Sequence, residues 1–153
     1  YGKYMETAEL IVATGNSKIR EIWTERVKRS GAKLAVLIHP SATVSRFAKI
    51  GAGTVVMAGA VVNAGTKIGQ GVIVNPCASV DHDCEIGDYC HISVGANIAG
   101  TVFIGKHTWI GIGAAVRNNI SICENCMIGA GAVVVKRIKL KGTYVGVPAT
   151  IIV

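Results

Sequence analysis

A histidine stands between two aspartates at Asp81, His82 and Asp83, and this segment is the most chemically suggestive one in the sequence. Imidazole has a pKa of about 6.5, so it is largely neutral at pH 7 and available as a general base. A neighbouring carboxylate fixes the tautomer of such a base and stabilises the imidazolium that forms. A solvated surface histidine has the same local sequence. The residues alone leave both interpretations open, with His82 and Asp83 as the candidate catalytic pair.

The other histidines, His39, His91 and His107, argue against a metal centre. A three-histidine zinc site needs side chains that converge on one point. The successive histidine spacings of 43, 9 and 16 residues give no close pair of that kind. We therefore predict no metal, and we expect His39 and His107 to be structural or exposed.

The five cysteines form an odd set without an evident secretory context, which favours a reduced, cytoplasmic protein. Cys123 and Cys126 have the spacing of half a zinc site, but no second half follows. Cys84, Cys90 and Cys126 fall on positions predicted to face the interior, where a thiol packs as a small apolar group.

The net charge of +7 permits an anionic partner, such as coenzyme A or a nucleotide sugar. No aromatic-plus-basic motif supports a nucleic-acid partner, and no apolar run reaches the roughly 18 residues of a membrane span. A basic stretch either contacts phosphates of coenzyme A or forms a solvated face; its members are Lys136, Arg137, Lys139 and Lys141.

A repeat of period six determines the predicted architecture. Sixteen successive positions spaced by six are all valine or isoleucine: Val44, Ile50, Val56, Val62, Ile68, Val74, Val80, Ile86, Ile92, Ile98, Ile104, Ile110, Val116, Ile122, Ile128 and Val134. This period matches neither a helix nor a hairpin. It predicts a prism in which each hexapeptide supplies one short strand and one turn, with the aliphatic side chain pointing to the axis.

Three hexapeptides close one coil of this prism, so residues 18 apart should stack about 4.8 Å apart along the axis. Residues 44–134 then form about five coils with the sixteen positions buried. Because His82 follows interior Val80 by two residues, it should face outwards at a corner. His91 precedes interior Ile92 and lies half a coil away, so it should occupy a different side of the prism.

An α/β pattern precedes the repeat. Leu10 to Ala13 reads as a strand, Ser17 to Ser30 as a helix ended by Gly31, and Lys33 to Ile38 as a second strand. We expect three parts: a partial nucleotide-sugar-binding lobe at 1–40, whose opening strand would precede Tyr1, a β-helix at 41–136, and a C-terminal tail at 137–153. Gly15 and Asn16 follow the first strand and are candidate substrate contacts.

Together these features resemble the hexapeptide sugar acyltransferases, which include UDP-amino-sugar N-acetyltransferases of bacillosamine synthesis and sialic acid O-acetyltransferases. The resemblance runs from Gly15 to the end of the chain. The segments that carry it are Gly15 to Arg20, Leu37 to Ala42, Val80 to Gly87, His91 to Ala96 and Tyr144 to Ala149. It implies that the solenoid is a left-handed parallel β-helix, a hand that the repeat itself does not determine.

The resemblance also implies roles for individual residues. His82 would be the general base, Asp83 would raise its basicity, and His91 would contact acetyl-CoA. The backbone around three further residues would hold the pantetheine arm: Gly100, Ile112 and Ala130. A homotrimer with its site between protomers is implied as well.

The sequence thus predicts acetyl transfer from acetyl-CoA to a UDP-linked amino sugar of the bacillosamine type. O-acetylation of a sugar hydroxyl, as on sialic acid, would use the same base and donor. A non-catalytic β-helix scaffold is the alternative of another class. Such a scaffold would not need the corner at His82 and would not bind coenzyme A.

Overall fold

Two-residue strands recur every six residues through most of the computed structural model, which describes residues 8–152. The series that follows the N-terminal region is β3 (Leu37–Ile38), β4 (Thr43–Val44), β5 (Lys49–Ile50), β6 (Val55–Val56), β7 (Val61–Val62), β8 (Lys67–Ile68), β9 (Ile73–Val74), β10 (Ser79–Val80), β11 (Glu85–Ile86), β12 (His91–Ile92), β13 (Asn97–Ile98), β14 (Phe103–Ile104), β15 (Trp109–Ile110), β16 (Ala115–Val116), β17 (Ser121–Ile122), β18 (Met127–Ile128), β19 (Val133–Val134), β20 (Thr143–Val145) and β21 (Thr150–Ile152).

These strands form three sheets that wind around a common axis. From β3 to β19 every third strand pairs in parallel with a shift of 18 residues, so that Val62, Val80 and Ile98 stand directly above one another. The first face runs from β3 through β6, β9, β12, β15 and β18 to β20; the second face runs from β4 to β19, and the third from β5 to β17. This is the predicted parallel β-helix, with about six coils where the repeat alone suggested about five.

The core of the helix is a stack of small aliphatic layers. Fourteen of the sixteen repeat positions, those from Val56 to Val134, are at most 3% exposed. Val44 and Ile50, in the first coil, are partly buried and pack against the same core. Ala60, Thr66 and Ala78 are fully buried beside the aliphatic series. The prediction of inward-facing Val and Ile is confirmed, and no member of the series points to solvent.

Sharp corners join the faces, and many of them need a left-handed backbone conformation. Asp83 and His107 occupy such positions with φ of 56° and 60°. At Gly71, which has φ of 60°, an added Cβ would come within 2.6 Å of the Tyr89 ring in the next coil. Glycine there meets both the backbone requirement and the close stacking of coils.

The N-terminal region packs along one edge of the solenoid. β1 (Glu9–Leu10) pairs in parallel with β2 (Lys33–Leu34), and α1 (Ser17–Arg29) lies between them in the chain. The helix begins and ends close to its predicted bounds. The predicted strand from Lys33 to Ile38 divides in two, because β3 pairs with β6 and belongs to the solenoid. No helix in the described range is long and apolar enough to cross a bilayer.

Solenoid pairing extends past the predicted bounds of 41–136 at both ends. β3 lies before residue 41, and β20 pairs in parallel with β18 beyond residue 136. β21 then turns back and pairs antiparallel with β20, which ends the coil. The first seven residues of the predicted 1–40 lobe and the last residue of the predicted tail lie outside the described residues.

Candidate active site

His82 lies at the corner between β10 and β11, with its side chain 56% exposed. Its Nδ1 atom lies 2.9 Å from Oδ2 of Asp83. Its Nε2 atom lies 3.9 Å from Oδ2 of Asp81, which is on the other side of the ring. The imidazole is therefore held at one nitrogen by a carboxylate, while the second nitrogen remains accessible.

These two carboxylates raise the pKa of His82 above its ordinary value. The hydrogen bond that His82 donates to Asp83 is the largest cause and the charge of Asp81 the next, while desolvation acts in the opposite direction. Both acids stabilise the imidazolium, so the base is stronger than free imidazole. With Nδ1–H donated to Asp83, Nε2 of the neutral ring carries the lone pair that can accept a proton.

Gly100 lies directly beside the His82 ring, because it stands 18 residues later in the next coil. A Cβ at Gly100 would come within 2.5 Å of Nε2 of His82. The absence of a side chain therefore keeps the basic nitrogen clear. Gly100, whose backbone is predicted to hold the pantetheine arm, thus lies beside His82 on this chain, and its role toward the arm stays a prediction.

A groove of about 410 Å³ lies on the first face, around β12, β15 and β18. It brings together three of the predicted donor-binding residues, His91, Ile112 and Ala130. Its remaining lining is mostly apolar: Asn75, Ser93, Val94, Trp109, Gly111, Met127, Ile128 and Gly129. Asn75, Ser93 and Trp109 were not anticipated, although the 18-residue register would have placed Trp109 directly above His91.

His91 forms one wall of this groove and is held in a single orientation. Its ring stacks on Trp109 with centroids 3.9 Å apart, and Trp109 donates through Nε1 to Ser93 Oγ at 2.8 Å. The Asn75 amide donates to the Ile92 carbonyl at 2.8 Å and to Nε2 of His91 at 2.9 Å. That contact makes Nε2 the acceptor and leaves the proton on Nδ1.

Burial lowers the pKa of His91 to about 4, and the charge of Arg20 contributes, while the Gly15 backbone acts in the opposite direction. His91 is thus a neutral ring at pH 7 whose basic nitrogen is already occupied. This geometry suits a residue that binds a ligand and does not suit a general base. Of the two histidines, only His82 has an accessible basic nitrogen.

The groove is bordered by an open corner whose side chains are apolar. Val94, Ile112 and Ala130 stack there at 18-residue intervals, and Ile112 is 62% exposed. The glycines that follow them, Gly95, Gly113 and Gly131, have positive φ, and an added Cβ would meet nothing within 4 Å at any of them. The corner is therefore an exposed apolar surface along which a narrow ligand chain can lie.

Gly15 and Asn16 lie at the N-terminal end of α1, close to His91 and away from His82. Asn16 caps the helix, since its Oδ1 accepts the backbone N–H groups of Lys18 and Ile19 at 3.1 Å each. Gly15 lines a second cavity of about 420 Å³, which shares Asn75 and His91 with the groove. The Asn16 side chain is thus already used in capping.

Arg20 was missed by sequence reasoning, although it is only 1% exposed. Its guanidinium donates to five backbone carbonyls: Gly71 at 2.6 Å, Thr14 at 2.8 Å, Gly15 at 2.9 Å, Tyr89 at 2.8 Å and Cys90 at 3.3 Å. It joins the turn before α1 to the residues that precede His91. Arg20 and Thr24, one helical turn apart, are the buried residues of α1, and that spacing was the available signal.

The remaining candidates have structural surroundings. His107 is buried and contacts Glu21 of α1, with Nε2 and Oε2 3.1 Å apart, and the exposed His39 contacts Ser41. All five cysteines are free. Within residues 8–152 no group of three or more His, Cys, Asp or Glu side chains could hold a metal ion. The basic residues of the 136–141 stretch are exposed and do not line the groove.

On a single chain the candidate base and the groove lie on different sides of the prism. His82 is at the corner between the second and third faces, whereas the groove lies on the first face. The structure thus supplies both parts of the predicted site without bringing them together within one protomer.

The family model "Bacterial transferase hexapeptide (six repeats)" matches residues 65–100 and 101–136. The chain is 46% identical over 48 residues to UDP-N-acetylbacillosamine N-acetyltransferase of Bacillus subtilis, a match that covers 31% of this chain and 22% of that relative. This match therefore spans less than a quarter of the relative's length.

Two solved structures are similar over nearly the whole chain. The acetyltransferase domain of PglB from Neisseria gonorrhoeae, in complex with acetyl coenzyme A, has 47% identity and a TM-score of 0.95; the match covers 96% of this chain and 72% of that one. PerB from Caulobacter crescentus, in complex with CoA and GDP-perosamine, has 38% identity and a TM-score of 0.92. The match covers 94% of this chain and 70% of that one.

Proposed function

The chain belongs to the family of hexapeptide-repeat sugar acetyltransferases, and from this premise we propose that it transfers the acetyl group of acetyl-CoA to the amino group of a nucleotide-linked sugar. A UDP-linked sugar of the bacillosamine type is the proposed acceptor. The observation that carries the proposal is the His82–Asp83 pair, an exposed and oriented base on a chain 47% identical to an acetyltransferase domain that binds acetyl coenzyme A.

We assign His82 as the general base and Asp83 as the residue that orients it. The bound thioester supplies an activated acetyl carbon with a thiol leaving group. The acceptor amine attacks that carbon, and Nε2 of His82 takes the proton that the amine loses. Asp83 holds the Nδ1–H tautomer and stabilises the imidazolium. The imidazolium then returns the proton to the departing sulfur, so that no acyl-enzyme is needed.

The groove around His91 fits the donor. Its lining is mostly apolar, its bordering corner is apolar and open, and His91 is a neutral ring fixed by Asn75 and Trp109. We propose that His91 contacts acetyl-CoA and that the backbone around Gly100, Ile112 and Ala130 holds its pantetheine arm, with Gly100 beside His82. The role of Gly15 and Asn16 as substrate contacts stays a proposal and involves their backbone, since the Asn16 side chain caps α1.

Because His82 and the groove lie on different sides of one chain, the proposed active species is a homotrimer in which His82 of one protomer faces the groove of its neighbour. A cytoplasmic location is part of the same proposal and is supported by the five free thiols. Light scattering combined with activity measurements tests the assembly. A fully active monomer would contradict the shared site.

An acetyl-CoA consumption assay tests the function. The panel contains UDP-linked amino sugars, GDP-perosamine, free amino sugars and the corresponding sugars with hydroxyl groups only. We expect turnover with one nucleotide-linked amine and release of one thiol per amide formed. Turnover restricted to hydroxyl acceptors would indicate O-acetylation. Failure to bind coenzyme A at all would favour the scaffold.

A further inference from the structure

The carboxylate of Asp81 lies beside His82 but has no assigned role in the proposed mechanism. It directly follows β10, and its backbone N–H donates to the Ile98 carbonyl at 2.9 Å, which fixes it to the next coil. Its Oδ1 accepts a hydrogen bond of 2.8 Å from Asn63 Nδ2 in the preceding coil. Its Oδ2 lies 3.9 Å from Nε2 of His82. One oxygen is thus held in place, and the other is presented beside the basic nitrogen.

The carboxylate remains ionised at neutral pH. The hydrogen bond from Asn63 lowers the pKa of Asp81, and a backbone hydrogen bond from His82 contributes. The side chain is 41% exposed, so a ligand can reach it. With Nδ1–H of His82 directed to Asp83, the free Nε2 lone pair and the free Asp81 oxygen are two acceptors beside one small space.

Two adjacent acceptors discriminate between the possible acetyl acceptors. A protonated amine has three N–H donors and a positive charge, so it can donate to both acceptors at once. A hydroxyl has a single donor, so it leaves one acceptor without a partner. The carboxylate adds charge attraction to the ammonium form and none to the alcohol.

We propose that Asp81 is a specificity-determining residue that binds the acceptor as an ammonium ion and thereby selects amino sugars over sugar alcohols. This inference rests on the proposed function and names the chemical class of its acceptor. Asn63 is the positioning residue that aims the Asp81 carboxylate.

The proton balance is complete without a further reactant. The ammonium gives one proton to Nε2 of His82, which passes it to solvent at this exposed corner. The resulting neutral amine forms the C–N bond as the C–S bond breaks. His82 takes the second proton from the nitrogen and delivers it to the sulfur. The net products are the amide, the free thiol and one proton in solution.

The test compares two ligands on the full chain and on Asp81→Asn, which keeps the shape of the side chain and an oxygen for Asn63. The amino sugar with the highest turnover gives a KM, and its analogue with a hydroxyl in place of the amine gives a competitive inhibition constant. We expect the KM of the amine to rise about tenfold, as for a lost hydrogen bond to a charged group. The inhibition constant of the alcohol should stay within about twofold.

If Asp81 had a purely structural role, Asp81→Asn would weaken the binding of both ligands equally or lower the melting temperature of the protein. Equal changes in the KM of the amine and the inhibition constant of the alcohol would overturn the proposal. Loss of the Asp81 charge also makes His82 less basic and more often neutral, which by itself would favour ammonium binding. A rise in the KM of the amine therefore cannot come from this change in the protonation of His82. Glu124→Gln is the matched control, because it removes one charge from an exposed corner of the same solenoid; it should change neither constant.

Asn63→Ala provides a second test that keeps the charge but releases the carboxylate. We expect the KM of the amine to rise about threefold, less than in Asp81→Asn, since the ion remains nearby. No change in either variant would contradict the inference while leaving the proposed function intact. The proposed function itself fails only if the unaltered chain acetylates no amine of the panel.

Discussion

Two corners of the solenoid each place a histidine next to a carboxylate, yet the pKa of the imidazole shifts in opposite directions at the two corners. At one corner Nδ1 of His82 lies 2.9 Å from Asp83, and at the other Nε2 of His107 lies 3.1 Å from Glu21. The side chain of His82 is 56% exposed and that of His107 is 2% exposed. The pKa of His82 is raised, whereas that of His107 is lowered.

The difference comes from what covers each corner. α1 lies over His107, whose ring also stacks on Tyr89 with centroids 5.5 Å apart. Burial penalises the charged imidazolium there, and nearby Lys18 adds to the effect, so the contribution of Glu21 is outweighed. Among residues 8–152 no helix covers His82, whose side chain is largely exposed. A histidine–acid pair thus has a raised histidine pKa at an open corner and a lowered one under a helix.

Replacing the exposed histidine should have the largest effect. His82→Ala is expected to lower kcat by roughly two to four orders of magnitude, the usual contribution of a positioned base. The KM for acetyl-CoA should change little, because the imidazole acts on the proton of the acceptor. Steady-state kinetics on the folded variant checks this. His39→Ala, a change at another exposed histidine, is the control and should be near normal; a His82→Ala enzyme with full turnover would rule out the mechanism.

The acid of the exposed pair should matter less than the base. Asp83→Asn is expected to lower kcat roughly tenfold to a hundredfold, the range for losing one hydrogen bond to a charged group. Asparagine tolerates the left-handed backbone at this position, where φ is 56°. The loss therefore reports on the side chain and not on the turn. Circular dichroism should match the unaltered chain; a loss as large as that of His82→Ala would instead mean that the tautomer is controlled entirely by Asp83.

Much of this contrast could not be predicted from the sequence. The period of six predicts the solenoid, its interior positions and the outward corner at His82, because each follows from local spacing. The cover over His107 depends on how α1 packs against the coils, a long-range contact between Glu21 and a residue far along the chain. The same limit hid Arg20, whose five carbonyl partners come from three separate parts of the chain.

The position of Gly100 shows what the register could have given. His82 and Gly100 are 18 residues apart, so the stacking of coils alone predicts that they lie side by side. The Asn75–His91 contact is different, since His91 pairs with Ile73 and its side chain reaches diagonally to Asn75, 16 residues earlier in the chain. Such a diagonal side-chain contact does not follow from the repeat.

Replacing the buried histidine should affect stability and leave catalysis intact. His107→Asn keeps a residue suited to the left-handed backbone but removes the contact with Glu21 and the stacking on Tyr89. We expect a loss of about 1–2 kcal/mol in the free energy of unfolding, as for other buried polar contacts. Denaturant unfolding measures this, and kcat should stay within about twofold. A large fall in kcat without loss of stability would mean that this corner takes part in the reaction.

The smallest expected effect is a difference in pH dependence between the two corners. His82 faces Asp81 and Asp83, and its raised pKa means that the neutral base appears only as the pH rises through that value. Activity should therefore fall on the acid side, with its limb above the pKa of free histidine. The stabilising contribution of the His82–Asp83 pair has the opposite sign: it is present below the unfolded pKa and is lost as the pH rises through the folded one.

His107 faces Glu21, Lys18 and Lys106, and its lowered pKa keeps it neutral when folded. Its contribution to stability is lost as the pH falls below the unfolded pKa of about 6.5, because the unfolded chain then binds a proton that the folded chain does not.

The profile of kcat/KM against pH reports on the exposed corner at His82 alone. Asp83→Asn should move its acid limb to lower pH by more than Asp81→Asn does, since Asp83 is the larger cause of the raised pKa. An unmoved limb in both variants would mean that another group controls the profile, and His82 would lose its assignment as the titrating base.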